Sequence, residues 1–290
     1  MLTLFRLLSH WPLWLLHALG AWAGWAAFLA SPTYRRRFRD QAAQAGVPWP
    51  TARRAVAAAG RMVAELPWLW LRPTSRRVGP WVQWQGDEHI DAAVRSGRGL
   101  VILTPHLGCF EMIAQAYAER WGAGSPMTAL YRPARQPALR EVVERSRQRE
   151  GLLTAPANLA GVRQLIRALR QGQTVGLLPD QVPPEGLGVW APFFGRPAYT
   201  MTLAARLVQQ TGALPLVLLC ERRPRGRGFR IEVSALPEPA RGAGADADGA
   251  AESRAVDSAS VINRAMEHVI LRCPQQYLWG YHRYRGPRGT

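Results

Sequence analysis

The sequence predicts an α/β fold in which a central mixed, largely parallel β-sheet is flanked by helices. Short apolar segments alternate with helical segments from about residue 81 to residue 272, the pattern of a sheet covered on both faces. A chain of 290 residues with 48% hydrophobic residues is also long enough to bury a sizeable core. An uncharged apolar segment near the N-terminus adds one further helix to this fold.

That N-terminal segment runs from Trp11 to Ala30 without a formal charge, which is about the length that a helix needs to cross a bilayer. The arginine-rich stretch Tyr34–Arg39 follows it and favours a cytoplasmic location for everything downstream. We therefore expect residues 1–40 to be a transmembrane or membrane-anchoring helix with a basic flank, and residues 41–290 to be a cytoplasmic domain. An interfacial helix, a cleaved signal peptide and a buried helix are the alternatives, because Pro12 and two glycines weaken a span.

The remaining elements are assigned in chain order from periodicity and turn residues. Helices are expected at 51–71, at "IDAAVRSG", at about 108–120, around 137–150, at "LAGVRQLIRALRQG", at about 200–211 and at about 253–272. Strands are expected at 81–85, "LVILT", "MTALY", "LLTA", "TVGLL", "LPLVLLC" and "FRIEVSA". The Gly, Ala and Asp-rich stretch 241–251 is expected to be a surface loop.

Composition narrows the possible partners. The net charge is +17 at pH 7 and all 37 basic residues are arginines, so the surface attracts nucleic acid, anionic lipid or acidic proteins. The apolar N-terminal segment and the lack of a recognisable reading module disfavour nucleic acid. Cys109, Cys220 and Cys273 fit neither a zinc spacing nor a disulfide framework, which favours a reducing compartment. The six histidines do not cluster at ligand spacing, and we expect no metal and no cofactor.

Polar residues follow three strands of the predicted sheet. His106 follows "LVILT", the "YRP" of Tyr131–Pro133 follows "MTALY", and Asp180 follows "TVGLL". In α/β sheets the chemistry gathers outside the carboxyl ends of the strands, so these residues are expected on one edge. Each also has a structural alternative: a structural histidine, a solvated arginine or a helix-capping aspartate.

His106 and Glu111 are a candidate pair. Positions five apart point to different faces of a continuous helix, so the two side chains can meet only if the helix begins after His106, near Leu107 or Gly108. A strand ending at Pro105 followed by such a helix predicts a base with its orienting carboxylate.

Five sequence blocks in order carry a resemblance to a known family. The blocks "PHLGCFE", "YRP", "GVRQLIRALRQGQTVGLLPDQ", "APFFG" and "PQQYLWGYHRYR" resemble those of the late acyltransferases of lipid A biosynthesis, over about residues 1–287. "HLGCFE" is similar to the motif of membrane acyltransferases in which four residues separate a histidine from an acidic residue. The glycerolipid branch is less similar, because "PEGLG" at Pro184–Gly188 stands where that branch has an "EGTR"-like block.

The resemblance implies a glycerolipid-acyltransferase-like fold and a specific reaction. A fatty acyl chain, such as lauroyl, would pass from acyl carrier protein to a hydroxyl of a 3-hydroxyacyl chain of Kdo-lipid IVA, a lipid A precursor, at the cytoplasmic face of the bacterial inner membrane. Two alternatives stay open: an acyltransferase for another lipid, such as a glycerophospholipid or a phosphatidylinositol mannoside, and a non-catalytic basic protein that binds membranes or nucleic acid.

The resemblance also implies roles for individual residues. His106 would be the general base for direct attack on the thioester, and Glu111 would hold its tautomer and stabilise the imidazolium. The other implied residues are Arg147 for the oxyanion or a phosphate, Asp180 for ordering the site, and Arg132, Tyr131 and Gln181 for substrate binding. A Cys109 nucleophile is the disfavoured alternative. Phe193 and Phe194 either line an acyl channel or pack in the core, and the arginines of Arg222–Arg230 either steer anionic partners or are simply solvated.

Overall fold

A computed structural model describes residues 2–73, 75–131, 149–236 and 250–287. The helices are α1 Leu2–Leu8, α2 Leu13–Ala30, α3 Pro32–Gln44, α4 Trp49–Ala52, α5 Arg54–Ala64, α6 Leu66–Leu71, α7 Glu88–Ser96, α8 Phe110–Trp121, α9 Leu159–Arg170, α10 Leu203–Thr211 and α11 Ala250–Arg272. The strands are β1 Val82–Gln85, β2 Leu100–Leu103, β3 Met127–Tyr131, β4 Leu152–Pro156, β5 Thr174–Leu177, β6 Gly188–Phe193, β7 Arg196–Met201, β8 Leu214–Arg222 and β9 Phe229–Ala235.

The main sheet has seven strands in the order β1-β9-β8-β2-β5-β3-β4. Strands β8, β2, β5, β3 and β4 are parallel to one another, whereas β9 is antiparallel to β8 and parallel to β1. The predicted mixed, largely parallel sheet with flanking helices is therefore confirmed. All four residues of β2 are buried, as expected for a central strand covered on both faces.

The strand order reverses around β2. From β2 the chain passes through α8 to β3, which lies beyond β5, whereas after β5 the chain reaches β8 on the other side of β2. Such a reversal opens a crevice outside the carboxyl ends of the strands, where α/β proteins bind their ligands. The residues that follow β2 and β5 are thus neighbours at the position where a site is expected.

A two-stranded antiparallel hairpin, β6–β7, is an element that the sequence pattern did not predict. Its turn contains Phe194 and Gly195, both with positive φ, which permits the tight reversal. Phe193 is buried in the main hydrophobic core, and its ring packs near that of Tyr284. The hairpin therefore closes the core beside the C-terminal residues.

The N-terminal helices pack on the sheet domain. α2 lies along α5, and the two backbones approach so closely that a Cβ on Gly60 would lie 1.9 Å from the carbonyl oxygen of Gly20. Phe28 and Phe38 belong to the same core cluster as Val101 of β2. α2 is long and apolar enough to cross a membrane by length and composition.

Element boundaries differ from the predicted ones in a few places. The predicted helix 51–71 is divided into α4, α5 and α6. The final helix begins at Ala250 rather than near Ser253. The predicted helix around 137–150 lies almost entirely outside the described residues, as does most of the predicted loop 241–251.

Candidate active site

The loop between β2 and α8 carries the candidate base. β2 ends at Leu103 and α8 begins at Phe110, two or three residues later than the sequence indicates. The reason is Gly108, whose φ is +57° and whose Cβ, if present, would lie 1.8 Å from the carbonyl oxygen of Cys220. The amide of Cys109 donates to that same carbonyl at 3.0 Å. Only glycine fits this close approach of the loop to β8.

His106 is held by one carboxylate through two of its atoms. Its ring Nδ1 lies 2.7 Å from Asp180 Oδ1, and its backbone N–H donates to Asp180 Oδ2 at 2.8 Å. The two residues follow the adjacent strands β2 and β5, which is why they meet. With the Nδ1 proton donated to the carboxylate, Nε2 keeps its lone pair and can accept a proton.

The surroundings keep Asp180 ionised. Burial, the largest influence, favours the neutral acid, but the charge and hydrogen bonds of His106 outweigh it and lower the pKa of Asp180. The charge of buried Arg283 acts in the same direction. Burial and then the nearby Asp180 carboxylate raise the pKa of Tyr277 well above its ordinary value, so that this phenol stays neutral. Asp180 is therefore an acceptor over the working pH range.

The other ring nitrogen faces Gln181. The amide Nε2 of Gln181 lies 3.0 Å from His106 Nε2 and donates to it. The His106 side chain is 17% exposed, so part of the ring is accessible from outside. The ring of Phe110 contacts the imidazole edge to face, with centroids 4.9 Å apart. A substrate hydroxyl that reaches Nε2 must therefore take the place of the Gln181 amide.

Glu111 lies on the first turn of α8, so that the helix does begin after His106, as the spacing requires. Its Oε2 accepts a hydrogen bond from the indole N–H of Trp70 at 3.5 Å. The carboxylate bonded to His106 Nδ1 is that of Asp180, a contact that was not predicted from the sequence.

The structure describes one of the three remaining predicted site residues. Tyr131 is the last residue of β3, next to β5, and so lies on the same edge of the sheet. Arg132 and Arg147 lie outside the described residues.

A buried ion pair behind the loop was not predicted from the sequence. Arg222 at the end of β8 binds Glu65 through two parallel hydrogen bonds of 2.7 and 2.6 Å, and its Nη2 also donates to the Gly108 carbonyl at 2.8 Å. Arg222 is 5% exposed, so it is neither solvated nor available to steer a partner, unlike what was expected of its arginine run. The sequence offered one indication of this pair, because Glu65 is a lone glutamate between the apolar residues of α5 and α6.

The C-terminal segment supports the loop from the opposite side. Leu107 pairs with Tyr277, the Gly108 amide donates to the Gln276 carbonyl at 3.1 Å, and the Leu278 amide donates to the His106 carbonyl at 3.2 Å. The loop that carries the imidazole is therefore fixed between β8 and the segment that follows α11.

Metal coordination and a Cys109 nucleophile are the other two kinds of chemistry that the sequence raises. Within the described ranges, no group of three or more His, Cys, Asp or Glu residues could hold a metal ion. Cys109 is buried, and its pKa is raised well above the ordinary value by that burial and then by the charge of Glu65, which disfavours a thiolate nucleophile.

A histidine oriented by a buried carboxylate, at the carboxyl edge of a mostly parallel sheet, suits general acid–base chemistry on a hydroxyl. The chain belongs to the bacterial lipid A biosynthesis acyltransferase family, whose model matches residues 43–286. The family assignment made from the sequence is thus confirmed.

Individual relatives are distant. The chain is 25% identical over 229 residues to the lipid A biosynthesis lauroyltransferase of Escherichia coli (strain K12), covering 78% of this chain and 68% of that protein. It is 27% identical over 227 residues to the palmitoleoyltransferase of the same strain, with the same two coverages. It is also 29% identical over 150 residues to a phosphatidylinositol mannoside acyltransferase of Mycobacterium tuberculosis (strain CDC 1551 / Oshkosh), covering 50% of this chain and 46% of that protein.

Proposed function

We propose that this protein transfers a fatty acyl chain from acyl carrier protein to a hydroxyl of a 3-hydroxyacyl chain of a lipid A precursor, Kdo-lipid IVA. The observation that carries the proposal is the His106–Asp180 unit at the carboxyl edge of the sheet, in a chain of the lipid A acyltransferase family. The relatives named above transfer lauroyl and palmitoleoyl chains, and another E. coli relative transfers myristoyl.

The base acts directly on the acceptor. An alcohol is a poor nucleophile at neutral pH, so Nε2 of His106 removes the hydroxyl proton as the oxygen attacks the thioester carbonyl. The new C–O bond forms, the C–S bond breaks, and the imidazolium returns the proton to the departing thiolate. Asp180 keeps the proton on Nδ1 and stabilises the imidazolium that forms in between.

The other predicted residues complete the proposal. Glu111 adds a second negative charge near the edge and favours the imidazolium, while Asp180 holds the tautomer. Arg147 stabilises the oxyanion or a substrate phosphate, and Arg132 and Tyr131 contact the acceptor, as the family resemblance implies. Gln181 occupies the place of the acceptor hydroxyl on Nε2 until substrate arrives.

Location and partners follow from charge and chemistry. Acyl carrier protein and the lipid A precursor are anionic, and a chain of net charge +17 attracts both. We propose the cytoplasmic face of the inner membrane as the site of action, supported by the apolar helix α2 and the basic segment that follows it. Three free cysteines are consistent with a reducing compartment.

The test is transfer of labelled acyl chains from acyl carrier protein to Kdo-lipid IVA in detergent. We expect His106→Ala to lose activity about 10²–10⁴-fold and Glu111→Ala to lose activity as well. His89→Ala, which removes an exposed histidine on α7, should keep the wild-type rate.

Parallel reactions address the alternative acceptors. The partial similarity to phosphatidylinositol mannoside acyltransferases makes that lipid the second candidate acceptor, because the same base would serve any lipid hydroxyl. Transfer only to that lipid or to a glycerophospholipid would replace the proposed acceptor. Full activity of His106→Ala would overturn the mechanism while leaving the substrate assignment standing.

A further inference from the structure

Helix α2 has two opposite faces of different character. Leu13, Leu16, Gly20, Gly24 and Phe28 are buried, together with His17, against the rest of the protein. The outward face, defined by Trp14, Leu19, Trp22 and Leu29, is exposed, with Trp22 74% and Leu29 65% accessible. A helix that is apolar on all sides needs cover on all sides. The protein covers one face, so another apolar medium must cover the outward face.

The buried face of α2 contacts the catalytic domain along the length of the helix. His17 Nε2 lies 3.0 Å from Glu65 Oε2, the carboxylate that also binds Arg222. Gly20 and Gly24 pack directly against the backbone of α5 around Gly60.

Both ends of α2 also contact this same domain. At the beginning of α2, the turn Pro224–Gly226 between β8 and β9 approaches so closely that a Cβ on Gly226 would lie 2.5 Å from the Trp14 amide nitrogen. Just after its end, the ring of Tyr34 lies against Gly280 of the C-terminal segment.

This packing is incompatible with a helix that crosses a bilayer. The 18 residues of α2 span about 27 Å, nearly the whole hydrocarbon thickness. If α2 crossed, the Glu65–Arg222 ion pair and the sheet domain that holds it would have to enter the hydrocarbon. Polar surface and irregular backbone of that domain would then face lipid, which is not tolerated in the hydrocarbon.

We propose that α2 lies in the plane of an anionic lipid bilayer, docked on the catalytic domain, with its outward face in the interface. Tryptophan is the side chain that prefers this depth, and in-plane helices bind by apolar burial together with attraction to anionic headgroups. Arginines supply that attraction at both ends: Arg225 and Arg227 are exposed on the turn beside Trp14, and Arg36 is exposed just after the helix. The inference is independent of which acyl acceptor the enzyme uses.

The first experiment distinguishes lying on the membrane from crossing it. Thr3→Cys and Thr33→Cys place one exposed thiol before α2 and one after it, in the full chain expressed in a Gram-negative host. A membrane-impermeant maleimide is added to intact spheroplasts and then after permeabilisation. We expect neither thiol to react until the membrane is permeabilised, and both to react afterwards. The wild type gives the background, because its three cysteines are buried.

Reaction of Thr3→Cys in intact spheroplasts, with Thr33→Cys protected, would show a crossing helix and overturn the proposal.

The second experiment measures binding of the purified full chain to vesicles. We expect binding to phosphatidylglycerol–phosphatidylethanolamine vesicles that Trp22→Glu weakens about tenfold or more. Replacing Arg225 and Arg227 by glutamine should weaken it about fivefold each. Trp190→Glu is the matched control, since Trp190 is an exposed tryptophan on the β6–β7 hairpin, and it should bind like the wild type.

Three results would contradict the lipid assignment. Equal binding of Trp22→Glu and Trp190→Glu would show that the outward face does not meet lipid. Equal binding to purely zwitterionic vesicles would remove the role of the arginines. A change in oligomeric state of Trp22→Glu with unchanged vesicle binding would assign the face to a second copy of the chain.

Discussion

Replacing Asp180 by asparagine changes the hydrogen bonding of His106 without changing the shape of the site. Both carboxylate oxygens of Asp180 accept from His106, at 2.7 Å from the ring and 2.8 Å from the backbone. Asparagine keeps one acceptor oxygen, which the backbone N–H retains, and turns the other position into a donor. Nδ1 must then accept, so that the ring proton moves to Nε2. A protonated Nε2 cannot take the proton of the acceptor hydroxyl.

The expected loss follows from that change. General-base catalysis contributes about 10²–10⁴-fold, and an equivalent wrong tautomer in Ser-His-Asp enzymes costs about 10⁴-fold. We expect kcat to fall about 10³-fold, equivalent to about 4 kcal/mol. KM should change little, because Asp180 is 2% exposed and does not face the acceptor.

Steady-state transfer assays and ¹⁵N NMR of the histidine ring measure the two parts of this prediction. Asp180→Asn should shift the His106 signals to those of the Nε2–H tautomer, whereas Glu111→Gln should leave the tautomer unchanged. Asp91→Asn is the matched control, because Asp91 accepts a 2.7 Å hydrogen bond from Trp121 on another part of the protein. An Asp180→Asn variant that is folded, has the Nδ1–H tautomer and retains kcat would refute the reasoning.

Three further predictions concern the support of the loop. Arg222→Met should lower the free energy of unfolding by about 3–5 kcal/mol and reduce activity. Arg36→Met, which breaks an exposed pair with Asp40, should cost less than about 1 kcal/mol. Equal costs from denaturant titration would contradict this. Gly108→Ala should lower the free energy of unfolding by at least about 1 kcal/mol more than Gly212→Ala. Both glycines have positive φ, but only at Gly108 would the new Cβ meet a backbone atom, the carbonyl oxygen of Cys220. Similar melting temperatures of the two variants would contradict the steric argument. Burial opposes ionisation of Glu65, but the charge and hydrogen bonds of Arg222 outweigh it and lower the pKa of Glu65. The unfolded state therefore takes up the proton first, and stability should decrease as the pH is lowered below about 4.5. Glu65→Gln should flatten that acid limb, and an unchanged slope would contradict the pKa direction.

The sheet was predictable because its signals are local. Segments such as "LVILT" and "TVGLL" are apolar, short and bounded by turn residues, and β2 and β5 lie where those patterns indicate. Because ligands bind outside the carboxyl ends of the strands in α/β sheets, the sequence also predicted His106 and Asp180 on one edge. Their direct contact required the strand order, which places β5 next to β2 and which no local pattern contains.

Other features depend on residues far apart in the sequence. Glu65 and Arg222 are separated by 157 positions, so neither residue indicates its partner. The late start of α8 is set by the Cys220 carbonyl against Gly108, again a tertiary contact. The β6–β7 hairpin was not predicted because each of its strands contains a proline and neither strand alternates regularly between apolar and polar residues.

The contact between α3 and the segment after α11 has a consequence for biosynthesis. Gln41 donates to the carbonyl of Trp279 at 2.6 Å, and the Arg283 amide donates back to Gln41 at 3.1 Å. The His106 loop is held by Gln276 and Leu278, which the ribosome adds long after α2. If α2 binds lipid as proposed, a nascent chain can present α2 to the membrane long before the His106 loop can be fixed, so that membrane binding would precede competence for acyl transfer.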